Sequence, residues 1–174
     1  SLAGGALGFG LGLIISIFTM SKRAVVRAPA RLYINFFRGT PLIWQISFAG
    51  AGLVPSLQLN IQPYWIAILV LGLNLAAYSA EVYRAGIQSI ERGQMEAARS
   101  LGMTYPQAMR HIILPQAMRR ILPPLAGQFI SLIKDSSLLG IIAIRELTKA
   151  TREVVTTSLQ PFEMWFLCAV LYLT

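Results

Sequence analysis

No aspartate or glutamate occurs before Glu81, and the chain holds one cysteine, Cys168, and one histidine, His111. A lone cysteine leaves no disulfide framework, and with a lone histidine it leaves no metal cluster. Cys168 reads as a packing residue and His111 as a solvated or interface residue. No G-x-x-x-x-G-K-[ST] phosphate loop occurs, which excludes the chain as an ATPase of that kind. Charge is scarce: 13% of the 174 residues, where a soluble domain carries about a quarter.

What is present is apolar. Hydrophobic residues make up 55% of the sequence, gathered into charge-free runs, which predicts a membrane domain. The net charge of +8 would suit nucleic acid or a membrane surface, and the placement of the cations favours the membrane. The sequence starts and stops inside apolar runs and is read as one domain, 1–174, cut from a longer chain at both ends. The first twenty residues have no basic leader or evident cleavage site.

Leu2 to Met20 is uncharged, and Gly4, Gly8 and Gly12 recur every four residues. That stripe suits close helix packing, and glycine as ordinary filler is the alternative. Lys22, Arg23, Arg27, Arg31 and Arg38 follow without an acid. Residues 22–38 are expected at the cytoplasmic interface, interrupted at Pro29. Thr40-Pro41 can start a helix, giving one span over about 41–57 and another over about 64–83. The second carries Asn74, Tyr78, Ser79 and Glu81. Glu81 and Arg84 are three apart and can pair, so Glu81 is either a satisfied interfacial residue or part of a polar path. Pro123-Pro124 is expected to open a fourth span over 122–144, residues 145–160 to be an outer loop, and Pro161 to open the last span. The total is about five spans with the N-terminus outside. No inverted repeat relates the two halves.

Residues 91–115 are polar by contrast. A helix is expected from Glu91 to Leu101, ended by Gly102, which accepts the left-handed cap conformation. Thr104 has capping-box spacing to Gln107, with Pro106 in the first turn, and a second helix would run to Leu114 and stop at Pro115. The surplus of arginine places this hairpin on the cytoplasmic side, with residues 22–38.

Within the fourth span lie Lys134 and Asp135, with Ser136 and Ser137 beside them. Ionisable groups at such depth are costly and mark function by default. Asp135 either lines a path, where it could meet an ammonium, or pairs with another helix. Ser131 and Lys134 share a helix face, but nothing supplies an oxyanion hole for a Ser–Lys dyad.

Glu96-Ala97-Ala98, then Gly102, then Ile113-Leu114-Pro115 resembles the EAA loop of bacterial ABC-importer permeases. "RLYINFFRGTPLIWQ" and "SLIKDSSL" resemble the polar-amino-acid branch of that family. The resemblance implies an all-α, polytopic permease of the type I importer kind, with a cytoplasmic coupling hairpin at 91–115. It implies a multi-pass protein of the bacterial inner membrane that imports polar amino acids by alternating access, without catalytic residues or a cofactor of its own. Its implied partners are an ATP-binding subunit that holds ATP-Mg, a second permease (the same or paralogous), a periplasmic or lipid-anchored solute-binding protein, an amino acid and membrane lipid. No nucleic acid is implied.

Glu96, Ala97, Ala98, Arg99 and Gly102 would contact the ATPase subunit. Glu96 would offer its carboxylate, the alanines would keep the face thin, and Arg99 would pair across the interface or face solvent. Asp135, Ser136, Ser137, Asn74, Tyr78 and Glu81 would form the substrate pathway. Two other readings remain: a gradient-driven transporter or channel using Asp135 as an ion site, and a membrane protein whose hairpin docks a partner other than an ATPase.

Overall fold

Small residues on α1 (Leu2–Thr19) decide how the bundle begins. Gly4, Gly8 and Gly12 face α4 (Pro63–Gln88) so closely that a Cβ on each would meet Leu71, Leu75 and Ser79 in turn. The glycine stripe is therefore a packing seam, as its spacing suggests. The contact level rises along both helices together, so α1 and α4 run parallel. A computed structural model, describing residues 2–173, gives the rest of the chain.

Two parallel spans need one return crossing between them. It is made by α2 (Ala24–Gly39) and α3 (Leu42–Ser56), with a break at Thr40-Pro41. α3 includes a π-helical stretch, Phe48–Leu53. α2 does not lie flat at the interface as residues 22–38 were expected to. Val26 shares a crevice with Ile87, near the end of α4, whereas the Tyr33 hydroxyl donates to Leu73 O at 2.6 Å. α2 thus climbs antiparallel along α4. Pro29 does not interrupt it. The amide it removes would have bonded Val25 O, and Val25 is exposed, so no buried carbonyl is stranded.

α5 (Arg92–Ser100) is the short helix of the polar hairpin. The chain from Tyr105 to Ile142 is then one continuous helix, α6. Neither Pro115 nor Pro123-Pro124 ends or starts a helix here, contrary to expectation. A π-helical turn over Met109–Ile113 precedes Pro115, and Leu114 N–H reaches back five residues to Met109 O. That register shift puts Pro115 in the first turn of a new α-helical stretch, where the missing amide costs little. Ile121 stands over Gly86, while Leu132 stands over Gly5 and shares a cavity with Leu71, so α6 runs antiparallel to α1 and α4.

Ala143 ends α6 in the left-handed conformation (φ 65°). Residues 145–160, expected as a loop, contain the helix α7 (Leu147–Ser158). The Glu146 carboxylate caps it, accepting from the backbone N–H groups of Thr148 (2.7 Å) and Lys149 (2.6 Å). α8 (Pro161–Leu173) follows. α1, α4 and α6 are long and apolar enough to cross a membrane, and α3 and α8 are shorter apolar helices. No strand is found among the described residues.

Two cores hold this arrangement. Ile46, Leu71, Leu75, Leu132 and Leu139 pack where α3, α4 and α6 meet. Ile90, Ile113, Ala117 and Ile121 pack at the hairpin end, with Met95 against them, and seat the hairpin on the bundle.

Candidate functional site

The hairpin turn closes through the backbone. Met103 N–H donates to Ala98 O (3.2 Å) and Gly102 N–H to Arg99 O (3.0 Å), the paired bonds of a Schellman cap. Gly102 has φ +82°, as the sequence indicates, and nothing lies within 4 Å of where its Cβ would be. Its requirement is therefore conformational rather than steric. Gln107 Oε1 accepts from the backbone N–H and the hydroxyl of Thr104, both at 2.8 Å, so the capping-box spacing is realised.

Side chains of the hairpin divide between two faces. Glu96, Ala97 and Arg99 are exposed, and Arg99 Nη1 donates to Met103 O at 2.9 Å. Ala98 departs from expectation: it is buried, at 4% exposure, and packs inward instead of thinning an outer face. A residue that sequence reasoning passed over stands at the tip, where Leu101 is 85% exposed with Tyr105 nearby in sequence and also exposed. Two polar struts tie the hairpin region together. Arg120 Nη1 donates to Ser89 O at 2.6 Å, and Gln116 Nε2 donates to Gln94 Oε1 at 3.2 Å.

A second constellation lies between α2, α4 and α6. A cavity of about 560 Å³ is lined by Arg38, Thr40, Asn74, Tyr78, Gln128, Ser131 and Asp135, with Leu71, Leu75 and Leu132 among its apolar walls. Arg38 places its guanidinium 5.3 Å from the centroid of the Tyr78 ring, within cation–π range. Of the expected path residues, the fold brings Asn74, Tyr78 and Asp135 together here. Ser136 and Ser137 line other crevices, and the Ser136 hydroxyl donates to Ile133 O at 2.6 Å. Glu81 also lies outside the cavity. Its carboxylate accepts from Arg84 Nη2 at 2.6 Å and from Arg84 Nε, the i,i+3 pairing its position allows.

Asp135 makes no ion pair among the described residues, where the pairs are Glu81–Arg84 and Arg145–Glu153. The alternative of an interhelical pair thus has no partner within those residues. Lys134 is exposed and absent from the cavity wall, as neighbours 100° apart on a helix must diverge.

Arg38, Thr40, Gln128 and Ser131 join the cavity without having been anticipated. Gln128, Ser131 and Asp135 are spaced i, i+3, i+7, so one polar stripe on α6 was available as a signal. Ser131 is thus a wall residue, with Lys134 pointing elsewhere.

The wall segment at the α2–α3 break is held by two buried amides. Gln45 Nε2 donates to Phe37 O (2.9 Å), Thr40 O (3.2 Å) and Thr40 Oγ1 (2.8 Å), and Asn74 Nδ2 donates to Gln45 Oε1 at 3.0 Å. Carbonyls freed by a broken helix inside a membrane must find such partners.

Residues 8–174 match the sequence pattern of the family described as binding-protein-dependent transport system inner membrane component. The chain is 42% identical over 162 residues to the probable amino-acid ABC transporter permease protein YckA of Bacillus subtilis (strain 168), covering 93% of this chain and 71% of that protein. It is 36% identical over 172 residues to the glutamine transport system permease protein GlnP of Escherichia coli (strain K12), covering 96% and 78%. Its fold superposes with a TM-score of 0.92 on a chain from the crystal structure of an amino acid ABC transporter with histidines, at 36% identity, covering 99% of this chain and 80% of that one.

Proposed function

The chain belongs to the family of binding-protein-dependent transport system inner membrane components, and from that membership we propose how its cavity and hairpin divide the work. It is the permease subunit of an ABC importer, a membrane protein and a transport subunit rather than an enzyme. Its cargo is a polar amino acid, and its membrane is the bacterial inner membrane. It works beside a second permease, with separate ATP-binding subunits that hold ATP-Mg on the cytoplasmic side and a solute-binding protein outside.

One observation carries the choice of cargo. A cavity within the membrane-spanning bundle holds a carboxylate with no ion pair among the described residues, Asp135, and a guanidinium, Arg38, in its lining. An amino acid brings an ammonium and a carboxylate and can satisfy both at once. Charged groups within a membrane-spanning bundle need a partner, and a zwitterionic cargo supplies it transiently. Tyr78, Gln128 and Ser131 add neutral hydrogen-bonding groups around it.

The hairpin takes the mechanical part. Glu96 offers a carboxylate, Ala97 leaves the exposed side of α5 thin, and Leu101 projects at the tip to enter an apolar recess of the ATP-binding subunit. Gly102 sets the angle between the two arms. Closure of the ATP-binding subunits draws the paired hairpins together and turns the cavity outward, the binding protein delivers cargo, and hydrolysis resets the pair.

Reconstitution tests this. With its second permease, ATP-binding subunits and binding protein in proteoliposomes, the chain should accumulate labelled amino acid only when ATP is present on the hairpin side. Uptake that follows a proton gradient without ATP would instead support a gradient-driven carrier using Asp135 as its ion site.

A further inference from the structure

We propose that Gln45 is the positioning residue of the cavity: it never touches the cargo, and it sets where Arg38 stands. The inference rests on the reading of the cavity as the amino-acid path. Gln45 is not part of the cavity wall, yet both ends of the wall segment Arg38–Pro41 are tied to it. Its amide holds Phe37 O, just before Arg38, and both the carbonyl and the hydroxyl of Thr40, just after Gly39.

Arg38 and Gly39 close α2, where the last carbonyls of a helix have no helical partner and must be held from outside. Gly39 has no side chain, and nothing lies within 4 Å of where its Cβ would be. Pro41 contributes no amide. Thr40 Oγ1 donates onward to Phe36 O at 2.8 Å, which closes the α2 end upon itself but does not tie it to the bundle. Tyr33, one turn earlier, ties α2 to Leu73 O, and at the break itself the tie to the bundle comes from Asn74 of α4, which donates to Gln45 Oε1 and, at 3.4 Å, to Phe37 O. Gln45 is buried at 5% exposure, so removing its amide strips these groups of a partner that solvent replaces poorly. The chain of contacts runs from α4 through Asn74 to Gln45, then to the two residues that flank Arg38 and Gly39. Arg38 itself gains a stacking partner in Tyr78, again on α4. A guanidinium on a flexible stem has its position defined only if its backbone is defined.

The role separates from a merely structural one by a double-mutant cycle. The complex of permeases and ATP-binding subunits is assembled in nanodiscs without the binding protein, so that only the membrane cavity reports. Radiolabelled glutamine and arginine are titrated separately, and the tighter one is used throughout. Q45M keeps the side-chain length and removes the amide; it should weaken binding about tenfold with basal ATP hydrolysis unchanged. In an R38Q background the same change should cost less than twofold, because the group it positions is gone. Should Q45M not assemble, Q45N, with an amide one methylene shorter, enters the same cycle. Unchanged affinity in the Gln45 variant, or equal fold losses in both backgrounds, overturns the positioning role. If R38Q and D135N also bind as wild type, the cavity reading itself falls.

Discussion

Ser79 stands so close to Gly12 that a Cβ on the glycine would overlap the serine hydroxyl, which donates to Leu75 O at 2.8 Å and also reaches Gly8 O at 3.2 Å. The contact joins the first span to the central one with no room for a methyl group. Gly12→Ala should therefore destabilise the protein by about 1–3 kcal/mol through overpacking. Gly10 is on the same helix with nothing near it, so Gly10→Ala should be neutral or stabilising by up to about 1 kcal/mol. Thermal unfolding in detergent compares the two, and an equal loss in both would contradict the seam.

The hairpin turn makes a different demand. Gly102→Asp should impose about 1–2 kcal/mol of backbone cost at φ +82° and misdirect the two arms. Stimulated ATP hydrolysis by the assembled complex should disappear while membrane insertion persists. Gly102→Asn, which tolerates the left-handed region better, should retain a measurable fraction. Glu96→Lys, with no turn to disturb, should also abolish stimulation; full coupling in that variant argues against docking through α5.

Asp135 and Lys134 are adjacent in sequence and differ in surroundings. Asp135→Asn should lower amino-acid uptake at least tenfold, the size expected for losing a hydrogen bond to a charged group. Lys134→Gln, outside the cavity wall, should stay within about twofold, since its side chain takes no part in the cavity. Uptake assays on both variants at matched expression decide, and the reverse order would reassign the site.

Arg120 reaches Ser89 O at 2.6 Å and so braces α6 against the end of α4, beside the hairpin. Arg120→Gln should remove an exposed bond worth about 0.5–1 kcal/mol locally. The expected result is a lower ratio of amino acid moved to ATP hydrolysed, with hydrolysis itself kept. Measuring both fluxes in the same vesicles checks it, and an unchanged ratio would show that the brace does not carry motion.

The local signals were legible where one residue type meets one backbone need. Gly102 at a left-handed cap, Thr104 with Gln107, the pairing of Glu81 with Arg84 and the glycine stripe all follow from spacing alone. Proline was misleading at Pro29, Pro115 and Pro123-Pro124. Rules for helix ends weigh a missing amide against water, whereas here a π turn, an exposed carbonyl and neighbouring helices absorb it. Half of the cavity was illegible for another reason. Arg38 and Thr40 share a cavity with Asp135 only because α2 climbs α4, and that path depends on Tyr33 and Asn74 meeting backbone atoms about 40 residues away in sequence.

The continuity of α6 has a mechanical consequence. Its 38 residues span roughly 57 Å, from the tip of the polar turn to the far side of the bundle. Gln128, Ser131 and Asp135 are carried on the same rod that starts at Tyr105. A push at the hairpin end would therefore arrive at the cavity as a tilt or rotation of its polar wall. On the proposed reading the helix works as a crankshaft: the part an ATP-binding subunit would grip and the part that would meet cargo are a single piece, and the widened turn at Met109–Ile113 is its journal.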